Sequence, residues 1–298
     1  MLTIFTTPKD FDEEFDIIQR NALCSWRAVS NDLEIIILGD SLGAEEAATS
    51  INAKYIANVE KSVKGTPTIS GMFTAVEKYA KNNLLCYVNA DIVLPKNIMN
   101  ISSILSEQIK KFMAVGYRWD LDVSELINFN DDQVSRKFWN NARKQAIKHP
   151  STGIDYFIFK KYTFKNILEL AVGRLAWDNW LLWKTRRMRL PLIDVSNELF
   201  VIHQNHGYNH MGFKGRKDML IDHEVLSNRS LVKNQTLNLL DANWVMEDTK
   251  IKKKLSMDFK DRNLDSLQKI YPEFKIIIKI YKKIKRKFRV LTQFFSNK

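Results

Sequence analysis

Cysteine and long apolar runs are scarce in this chain of 298 residues. The two cysteines, Cys24 and Cys86, are too few for a disulfide framework, so we expect reduced thiols and a cytoplasmic protein. No segment approaches the roughly 18 uncharged apolar residues that a membrane-spanning helix needs. Residues 1–8 resemble a strand and a turn, and not a basic region followed by an apolar core. We therefore predict no signal peptide.

Acidic residues are absent after Glu273, and this absence gives the C-terminal tail its character. The tail carries nine basic side chains, which leaves 37 of the 46 basic residues against 34 acidic ones. The body of the chain is therefore close to neutral, which argues against nucleic acid lying across the main domain.

The tail also has apolar residues at helical spacing. They are Ile277, Ile280, Tyr281, Ile284, Phe288, Leu291 and Phe295. A basic amphipathic helix of this kind is typical of a protein that contacts an anionic membrane surface. A terminal helix packed on the core, with a solvated basic face, gives the same pattern and stays open as an alternative.

Strands and helices alternate in the first third of the chain. The apolar runs that predict strands lie at 1–5, 33–38, 53–56 and 84–89. Segments with helical spacing lie between them, at 11–30, 43–52 and 68–79. This alternation predicts an α/β fold with a mostly parallel central sheet and helices on both faces.

The rest of the chain is less regular. Further strands are predicted at 112–118, 155–159, 192–195 and 199–202, with a polar, helix-prone stretch at 124–148 and a helix from 177. We divide the chain into an α/β domain at 1–225, a helical or irregular extension at 226–273 and the basic helix at 274–298.

The apolar run Leu84–Leu94 contains a carboxylate, Asp91, close to its end. In open α/β sheets, ligands bind just outside the carboxyl ends of the strands. Mg²⁺ and Mn²⁺ typically use one or two protein carboxylates and let phosphate and water complete the shell. The segment therefore predicts a site for a divalent metal and a diphosphate, and an Asp that merely begins a turn is the alternative.

Three of the five histidines lie directly after the last predicted strand, at His203, His206 and His210. Histidine is the commonest nitrogen ligand of catalytic metals, but a tetrahedral zinc set is disfavoured because no cysteine is close. We favour one histidine joining Asp91 on a metal, with the others contacting phosphate or substrate. A loop of unrelated polar histidines is the alternative.

Two further segments combine a carboxylate with small or aromatic neighbours. Asp178 lies between Trp177 and Trp180 near a predicted helix start, where it is either a helix cap or a carboxylate beside an aromatic sugar platform. Residues 151–156 contain Gly153 before a strand, which would let the backbone approach a ligand closely.

Taken in order, these motifs resemble the GT-A-type nucleotide-diphospho-sugar glycosyltransferases, in particular family-2-like members. The matching motifs are Ile37–Asp40, Gly65–Pro67, Cys86–Asp91, Gly116–Asp122, Gly153–Phe157, Trp177–Trp180 and His203–His206. They cover about residues 1–212, and the remainder lies outside the resemblance. The resemblance implies a GT-A fold with a mostly parallel, Rossmann-like sheet, and the predicted C-terminal helical extension lies in the part that it does not cover.

The resemblance also implies a role for each site residue. Asn89-Ala90-Asp91 stands where GT-A enzymes carry Asp-x-Asp, so only Asp91 offers a full carboxylate. The implied ligands of Mn²⁺ or Mg²⁺ are Asp91 and one histidine of the pair His203 and His206. Asp178 would be the base that deprotonates the acceptor hydroxyl. The nucleotide and donor sugar would contact Thr6, Thr7, Asp40, Asn89, Asp91, Arg118, Trp119 and Asp120. The acceptor pocket would contain Gly153, Asp155, Trp177 and Asn179.

The implied partners are a nucleotide-sugar donor and a glycan or lipid-linked acceptor, in polysaccharide biosynthesis. The basic tail motivates a location at the cytoplasmic face of a membrane. Three other hypotheses stay open, and one of them is salt-sensitive binding of nucleic acid through the basic tail. A nucleotidyltransferase usually has a Gly-rich loop after its first strand, and Thr6–Lys9 has no glycine. A catalytically inactive GT-A-like module that binds a nucleotide or glycan at the membrane surface is kept open by Asn89.

Overall fold

The structure, a computed structural model, describes residues 1–206 and 220–296. The strands are β1 (Leu2–Thr6), β2 (Glu34–Leu38), β3 (Lys54–Ile56), β4 (Leu84–Val88), β5 (Ile92–Val93), β6 (Met113–Val115), β7 (Arg118–Leu121), β8 (Ile147–Lys148), β9 (Tyr156–Lys160), β10 (Leu192–Asp194), β11 (Val201–Gln204), β12 (Trp244–Glu247) and β13 (Lys250–Lys253). The α-helices are α1 (Glu13–Arg27), α2 (Ala44–Ser50), α3 (Ile69–Tyr79), α4 (Ile98–Gln108), α5 (Asp132–Gln145), α6 (Trp177–Arg187), α7 (His223–Val232), α8 (Met257–Ile270) and α9 (Lys275–Ser296).

The main sheet has nine strands in the order β13-β12-β10-β6-β9-β4-β1-β2-β3. All of them except β9 and β13 run in the same direction, so the sheet is mostly parallel. The β1, β2 and β4 strands are adjacent and parallel, and their carboxyl ends therefore meet at one edge. This confirms the α/β class predicted from the alternating pattern.

Side-chain alternation along the strands gives the sheet a core on each face. In β4, Leu85 and Tyr87 pack on one face, and Leu84, Cys86 and Val88 on the other. Helices α3 and α6 cover the first face, and α1, α2 and α4 cover the second. The helices lie on both faces because strands buried on both sides need two apolar layers.

A second, smaller sheet has the order β5-β11-β7-β8. Its core contains Leu121, Ile202 and the α5 residues Phe138 and Ala142. The predicted single strand at 112–118 was wrong: β6 ends at Val115 in the main sheet, and Arg118 begins β7 in the second one. The helix-prone stretch at 124–148 contains α5 and then β8, a strand of two residues.

The stretch predicted as a helical or irregular extension, 226–273, contains β12 and β13 as well as α8. Both strands join the edge of the main sheet beside β10. The sequence pattern did not predict these strands. In β13, for example, Lys250, Lys252 and Lys253 flank a single isoleucine, so no apolar run marks the strand. The division at residue 225 stays a prediction. Within the described residues, no helix has the length and apolar content needed to cross a bilayer.

Candidate functional site

The carboxyl ends of β1 and β2 form one side of the candidate site. Thr6 ends β1 and Thr7 follows it, and within the described residues neither buried hydroxyl has a hydrogen-bond partner. Gly39 follows β2 with φ +95°, and an added Cβ would lie 3.1 Å from Thr7 Oγ1, so glycine allows this close turn. Asp40 is exposed, and its hydrogen bond with Lys61 Nζ, 2.6 Å long, lowers the pKa of the Asp40 carboxyl.

The end of β4 leads to the densest group of ionisable side chains. Asp91 Oδ2 lies 3.2 Å from His206 Nε2 and 3.7 Å from His203 Nε2. These residues meet because β5 pairs with β11 in antiparallel register, with Ile92 opposite His203. Burial alone would raise the pKa of the Asp91 carboxyl, but His203, His206 and Lys9 hold it well below its ordinary value.

The Asp91–His203–His206 cluster fits a divalent metal. One donor atom from each residue can be chosen so that all lie within 4.8 Å of one another. Asp91 Oδ1 is buried without a hydrogen-bond partner in the described part of the chain, so a lone pair is left for a cation. Two imidazoles and one carboxylate suit transition metals such as Mn²⁺ better than Mg²⁺, which prefers oxygen ligands. The resemblance implied Asp91 and one histidine of the pair, and the structure places both histidines beside Asp91.

Asp120 lies behind His203 and contacts its second ring nitrogen. Asp120 Oδ1 is 3.1 Å from His203 Nδ1, while Oδ2 is 2.6 Å from His149 Nδ1. Arg118 Nε lies 3.0 Å from the same carboxylate. Burial would raise the pKa of Asp120, but the hydrogen bonds from His203 and His149 and the charge of Arg118 hold it well below its ordinary value. A carboxylate on the outer nitrogen of a metal-binding histidine orients the ring, so Asp120 would position His203 if the cluster holds a metal.

Asn89 is held by neighbours within the protein. Its Nδ2 donates to Asp155 Oδ1 at 2.6 Å, and its Oδ1 accepts from the Tyr87 hydroxyl at 2.8 Å. Asp155 is 5% exposed, and its other oxygen lies 3.0 Å from Arg118 Nη1. The amide at position 89 is therefore satisfied on both sides, and the charge of Asp155 is balanced by Arg118.

Asp178 lies in the first turn of α6. Removal from water raises its pKa to about 7, the negative charge of Asp155 adds to the shift, and a hydrogen bond from the Asn179 backbone partly offsets it. Asp178, Asp91 and Asp155 all act on Tyr87, whose pKa is raised mainly by burial, so the three carboxylates share one region of the structure. A carboxyl that titrates near neutral pH is suited to accept a proton from a hydroxyl.

Some predicted site residues lie beside this region in supporting positions. Trp177 is 5% exposed, with its ring 5.3 Å from both Tyr87 and Phe157, so it packs beneath the site. An added Cβ on Gly153 would lie 2.4 Å from the His149 ring, so glycine allows the approach of His149. Asn179 Nδ2 donates to the Thr152 carbonyl at 3.3 Å and links α6 to the loop that contains Gly153.

Trp119 is the predicted site residue that the structure separates from the cluster. Neighbouring strand residues point to opposite faces, so Trp119 lies opposite Arg118 and Asp120. Its ring contacts Phe200, with the centroids 4.7 Å apart, near the core beside α5.

Sequence analysis missed two residues of the site. His149 and Lys61 contact predicted site residues but lie in polar stretches without a motif. His149 reaches Asp120 because β8 pairs with β7. The predicted histidine loop continues to His210, which lies outside the described residues.

Fold and site together define an α/β protein with a two-histidine, one-carboxylate candidate metal centre at the carboxyl ends of parallel strands. No protein-family model matches the chain, and no curated protein matches it. Solved structures with a similar fold include nucleotide-sugar glycosyltransferases, the class whose motifs the sequence resembles.

Three solved proteins illustrate the similarity. TarS 1-349 of S. aureus in complex with UDP-GlcNAc is 11% identical, with a TM-score of 0.47, over 91% of this chain and 80% of that chain. A second TarS 1-349 structure aligns over 41% of this chain and only 36% of its own length, with 11% identity and a TM-score of 0.32. Glucosyl-3-phosphoglycerate synthase of M. tuberculosis is 10% identical over 79% of this chain and 80% of its own, with a TM-score of 0.47. A putative nucleotide-diphospho-sugar transferase from Desulfovibrio desulfuricans G20 is 11% identical over 79% and 98%, with a TM-score of 0.43. At these values the similarity assigns no activity to this chain.

Proposed function

We propose that the protein is a glycosyltransferase that moves a sugar from a nucleotide-diphosphate donor to a hydroxyl of a glycan or lipid-linked acceptor. The observation that carries this proposal is the Asp91–His203–His206 cluster, in which Asp91 keeps an unpartnered buried oxygen at the end of β4. Asp178, with a pKa of about 7, is the proposed base. Thr6, Thr7 and Asp40 are proposed contacts of the nucleotide, at the ends of the neighbouring strands.

The chemistry that the site would perform is a displacement at the anomeric carbon of the donor. Asp91, His203 and His206 would hold Mn²⁺ or Mg²⁺, which would supply positive charge to offset the charge of the departing nucleoside diphosphate. Asp178 would take the proton of the acceptor hydroxyl as the new glycosidic bond forms. Arg118 and Asp120 are proposed to border the sugar, and Asp155 and Asn179 the acceptor.

Two alternative functions, a binding module and a nucleotidyltransferase, predict different experimental results. A binding module would hold a nucleotide or glycan without turnover. A nucleotidyltransferase would transfer a nucleotidyl group and release pyrophosphate, and the absence of glycine from Thr6–Lys9 makes it the weaker alternative.

We expect one nucleoside diphosphate, or its sugar conjugate, to raise the melting temperature when a divalent metal is present. A ligand at about 100 times its Kd stabilises the folded state by about 2.7 kcal/mol. Mn²⁺ should support this effect at lower concentration than Mg²⁺, because two of the three candidate ligands are imidazoles. The measurement is a thermal-shift panel over nucleotides and nucleotide-sugars, UDP included, with Mn²⁺, Mg²⁺ or EDTA.

The same panel separates the alternatives. Stabilisation followed by release of nucleoside diphosphate in the presence of an acceptor supports the transferase. Stabilisation without turnover supports the binding module, and pyrophosphate release supports the nucleotidyltransferase. If no nucleotide stabilises the protein, the proposed function is wrong.

The C-terminal helix supports a location at the cytoplasmic membrane face. In α9, Ile277, Ile280, Tyr281 and Ile284 are each about half exposed or more, at 63%, 55%, 54% and 49%. The side chains of Phe288, Leu291 and Phe295 lie outside those that the structure describes. Lys282 and Lys285 pair with Asp265 and Asp261 on α8, which ties the first half of the helix to the body. We propose that exposed isoleucines and lysines together contact an anionic lipid surface.

Reversal of two tail charges should release the protein from anionic vesicles. Each lysine near such a surface contributes about 1 kcal/mol, so Lys279→Glu with Lys283→Glu should weaken binding to phosphatidylserine vesicles by roughly 30-fold or more. The same reversal in the body, Lys110→Glu with Lys111→Glu, is the matched control and should have little effect. Vesicle co-sedimentation measures both. Equal binding of the two variants, or of the parent protein to neutral vesicles, would contradict the membrane proposal.

A further inference from the structure

The second sheet has a cavity on the face opposite the candidate metal site. Its volume is about 970 Å³, at the upper end of the range of small-molecule sites. Trp119, Trp139 and Phe200 form one wall, and all three rings are half-buried, so part of each remains open to a ligand. The ring centroids of Trp119 and Phe200 are 4.7 Å apart, and those of Trp139 and Phe200 are 6.4 Å apart. The wall is therefore continuous.

Helix α5 places basic and polar side chains beside this wall. Arg136, Trp139, Asn140 and Arg143 recur at the spacing of one helix face, and all line the cavity. Arg136 Nε donates to the carbonyl of Asp132 within the helix, which leaves its terminal nitrogens available. Within the described residues, Arg143 makes no hydrogen bond or ion pair. The helix thus offers guanidinium donors next to aromatic surface.

The charges around the cavity favour an anionic ligand. Among its ionisable residues, Lys96 and Asp132 pair with each other at 3.3 Å and neutralise one another. Arg136 and Arg143 then face a single carboxylate, that of Glu198. Guanidinium groups bind carboxylate and phosphate through paired N–H donors, which a lysine cannot reproduce.

The ring geometry favours a sugar over a planar base. The rings of Trp119 and Trp139 are tilted by 53° and 59° to Phe200, so neither forms with Phe200 a parallel slot in which a nucleobase could stack. A concave aromatic surface suits the apolar face of a puckered pyranose, and Asn140 adds amide groups that can bind hydroxyls. We infer that this cavity binds an acidic saccharide unit, one that carries a carboxylate or phosphate group.

This inference deepens the proposed function, on which it rests, by naming the class of acceptor. The cavity and the Asp91 cluster occupy opposite faces of one sheet, and Trp119 lies between Arg118 and Asp120 along the same strand. A long acceptor chain could therefore be held at the cavity by a unit remote from the hydroxyl that reacts.

Indole resonances of Trp119 and Trp139 report directly on occupancy. An oligogalacturonate titrated into ¹⁵N-labelled protein, without nucleotide, should shift both signals to saturation. A neutral galactose oligomer of equal length should bind about 10-fold more weakly, because loss of a charge-assisted hydrogen bond has about this effect. Arg143→Ala should weaken only the acidic ligand, by a similar factor. Lys144→Ala, on the same helix but outside the cavity, is the matched control and should change neither affinity.

The outcomes separate this inference from the proposed function. If Arg143→Ala weakens binding of the acidic saccharide but retains metal-dependent stabilisation by nucleotide, the cavity inference and the proposed function are both supported. If neither indole signal shifts with the oligogalacturonate while nucleotide still stabilises the protein, the cavity inference alone is overturned. Equal affinity for the neutral oligomer, or equal shifts with inorganic phosphate or a poly-glutamate peptide, would also overturn it. Saccharide binding without stabilisation by any nucleotide would support the cavity inference and contradict the proposed transferase function.

Discussion

Replacement of Asp178 by asparagine should lower the rate of sugar transfer by about 10²- to 10⁴-fold, the usual contribution of a positioned general base. The asparagine has nearly the same shape and can still accept the Asn179 backbone hydrogen bond, but it cannot take a proton. Nucleotide affinity should stay close to that of the parent protein, because the loss concerns the transition state and not the ground state. Turnover and nucleotide Kd, measured on the same preparation, test both statements.

The pH profile should change in the same variant. Transfer by the parent protein should rise with pH through about 7, where the raised pKa of Asp178 places its ionisation. The residual activity of Asp178→Asn should lack this rise. An exposed carboxyl, Glu169, serves for comparison: Glu169→Gln should keep both the rate and the profile.

Stability should change in the opposite sense to activity. The pKa of Asp178 rises from 3.8 in the unfolded chain to about 7 in the folded protein, so the folded state holds the proton more tightly. The free energy of unfolding therefore falls as pH rises through this window and stays lowered above it. Asp178→Asn removes this penalty, and the variant should melt at a higher temperature than the parent at pH 8, by about 2–4 °C for each kcal/mol recovered. An Asp178→Asn protein that transfers sugar at the parent rate would exclude Asp178 as the base.

The first half of the fold could be predicted because its local signals agree with each other. Apolar strands bounded by turns alternate with amphipathic helices from β1 to β4, and such alternation has few solutions other than a parallel sheet. The predicted helix at 68–79 became α3, with Thr68 as a cap that accepts from the Gly71 backbone at 3.1 Å. Elements that depend on distant partners were harder. Two short strands, β7 and β8, pair across an intervening helix, and sequence periodicity does not predict that pairing.

The candidate site also contains residues that the sequence could predict and residues that it could not. Asp91, His203 and His206 could be proposed because each follows a predicted apolar strand, and strand ends are where sheets bind ligands. The carboxylate that contacts His203 could not be proposed from the sequence, since Asp120 reaches His203 only through the parallel pairing of β7 with β11. Trp119 was assigned to the site wrongly because the strand predicted at 112–118 did not include it. The side of β7 on which its ring lies could therefore not be predicted. The pKa of Asp178 depends on burial, which spacing along the chain does not reveal.

Loss of the charge at Asp91 should remove metal binding. Asp91→Asn keeps the size of the side chain, but it leaves a neutral amide between two imidazoles, and a divalent cation gains little from such a ligand. Metal-dependent stabilisation by nucleotide should disappear, and Mn²⁺ binding measured by electron paramagnetic resonance should fall below detection. If Asp91→Asn binds Mn²⁺ with the parent affinity, the metal lies elsewhere.

The residues around Asp91 turn this prediction into a graded test. Asp120→Asn leaves all three candidate ligands in place but weakens the group that orients His203, so Mn²⁺ affinity should fall by about 10- to 100-fold. Asn89→Asp would restore an Asp-x-Asp pattern, yet the new carboxylate would face Asp155 at the 2.6 Å contact that the amide now makes. Two carboxylates at that distance repel each other, so this variant should lose stability at neutral pH and gain no affinity for Mn²⁺. A gain in affinity would show that position 89 turns toward the metal when a carboxylate is present. The sequence pattern would then describe the metal site better than the present geometry does.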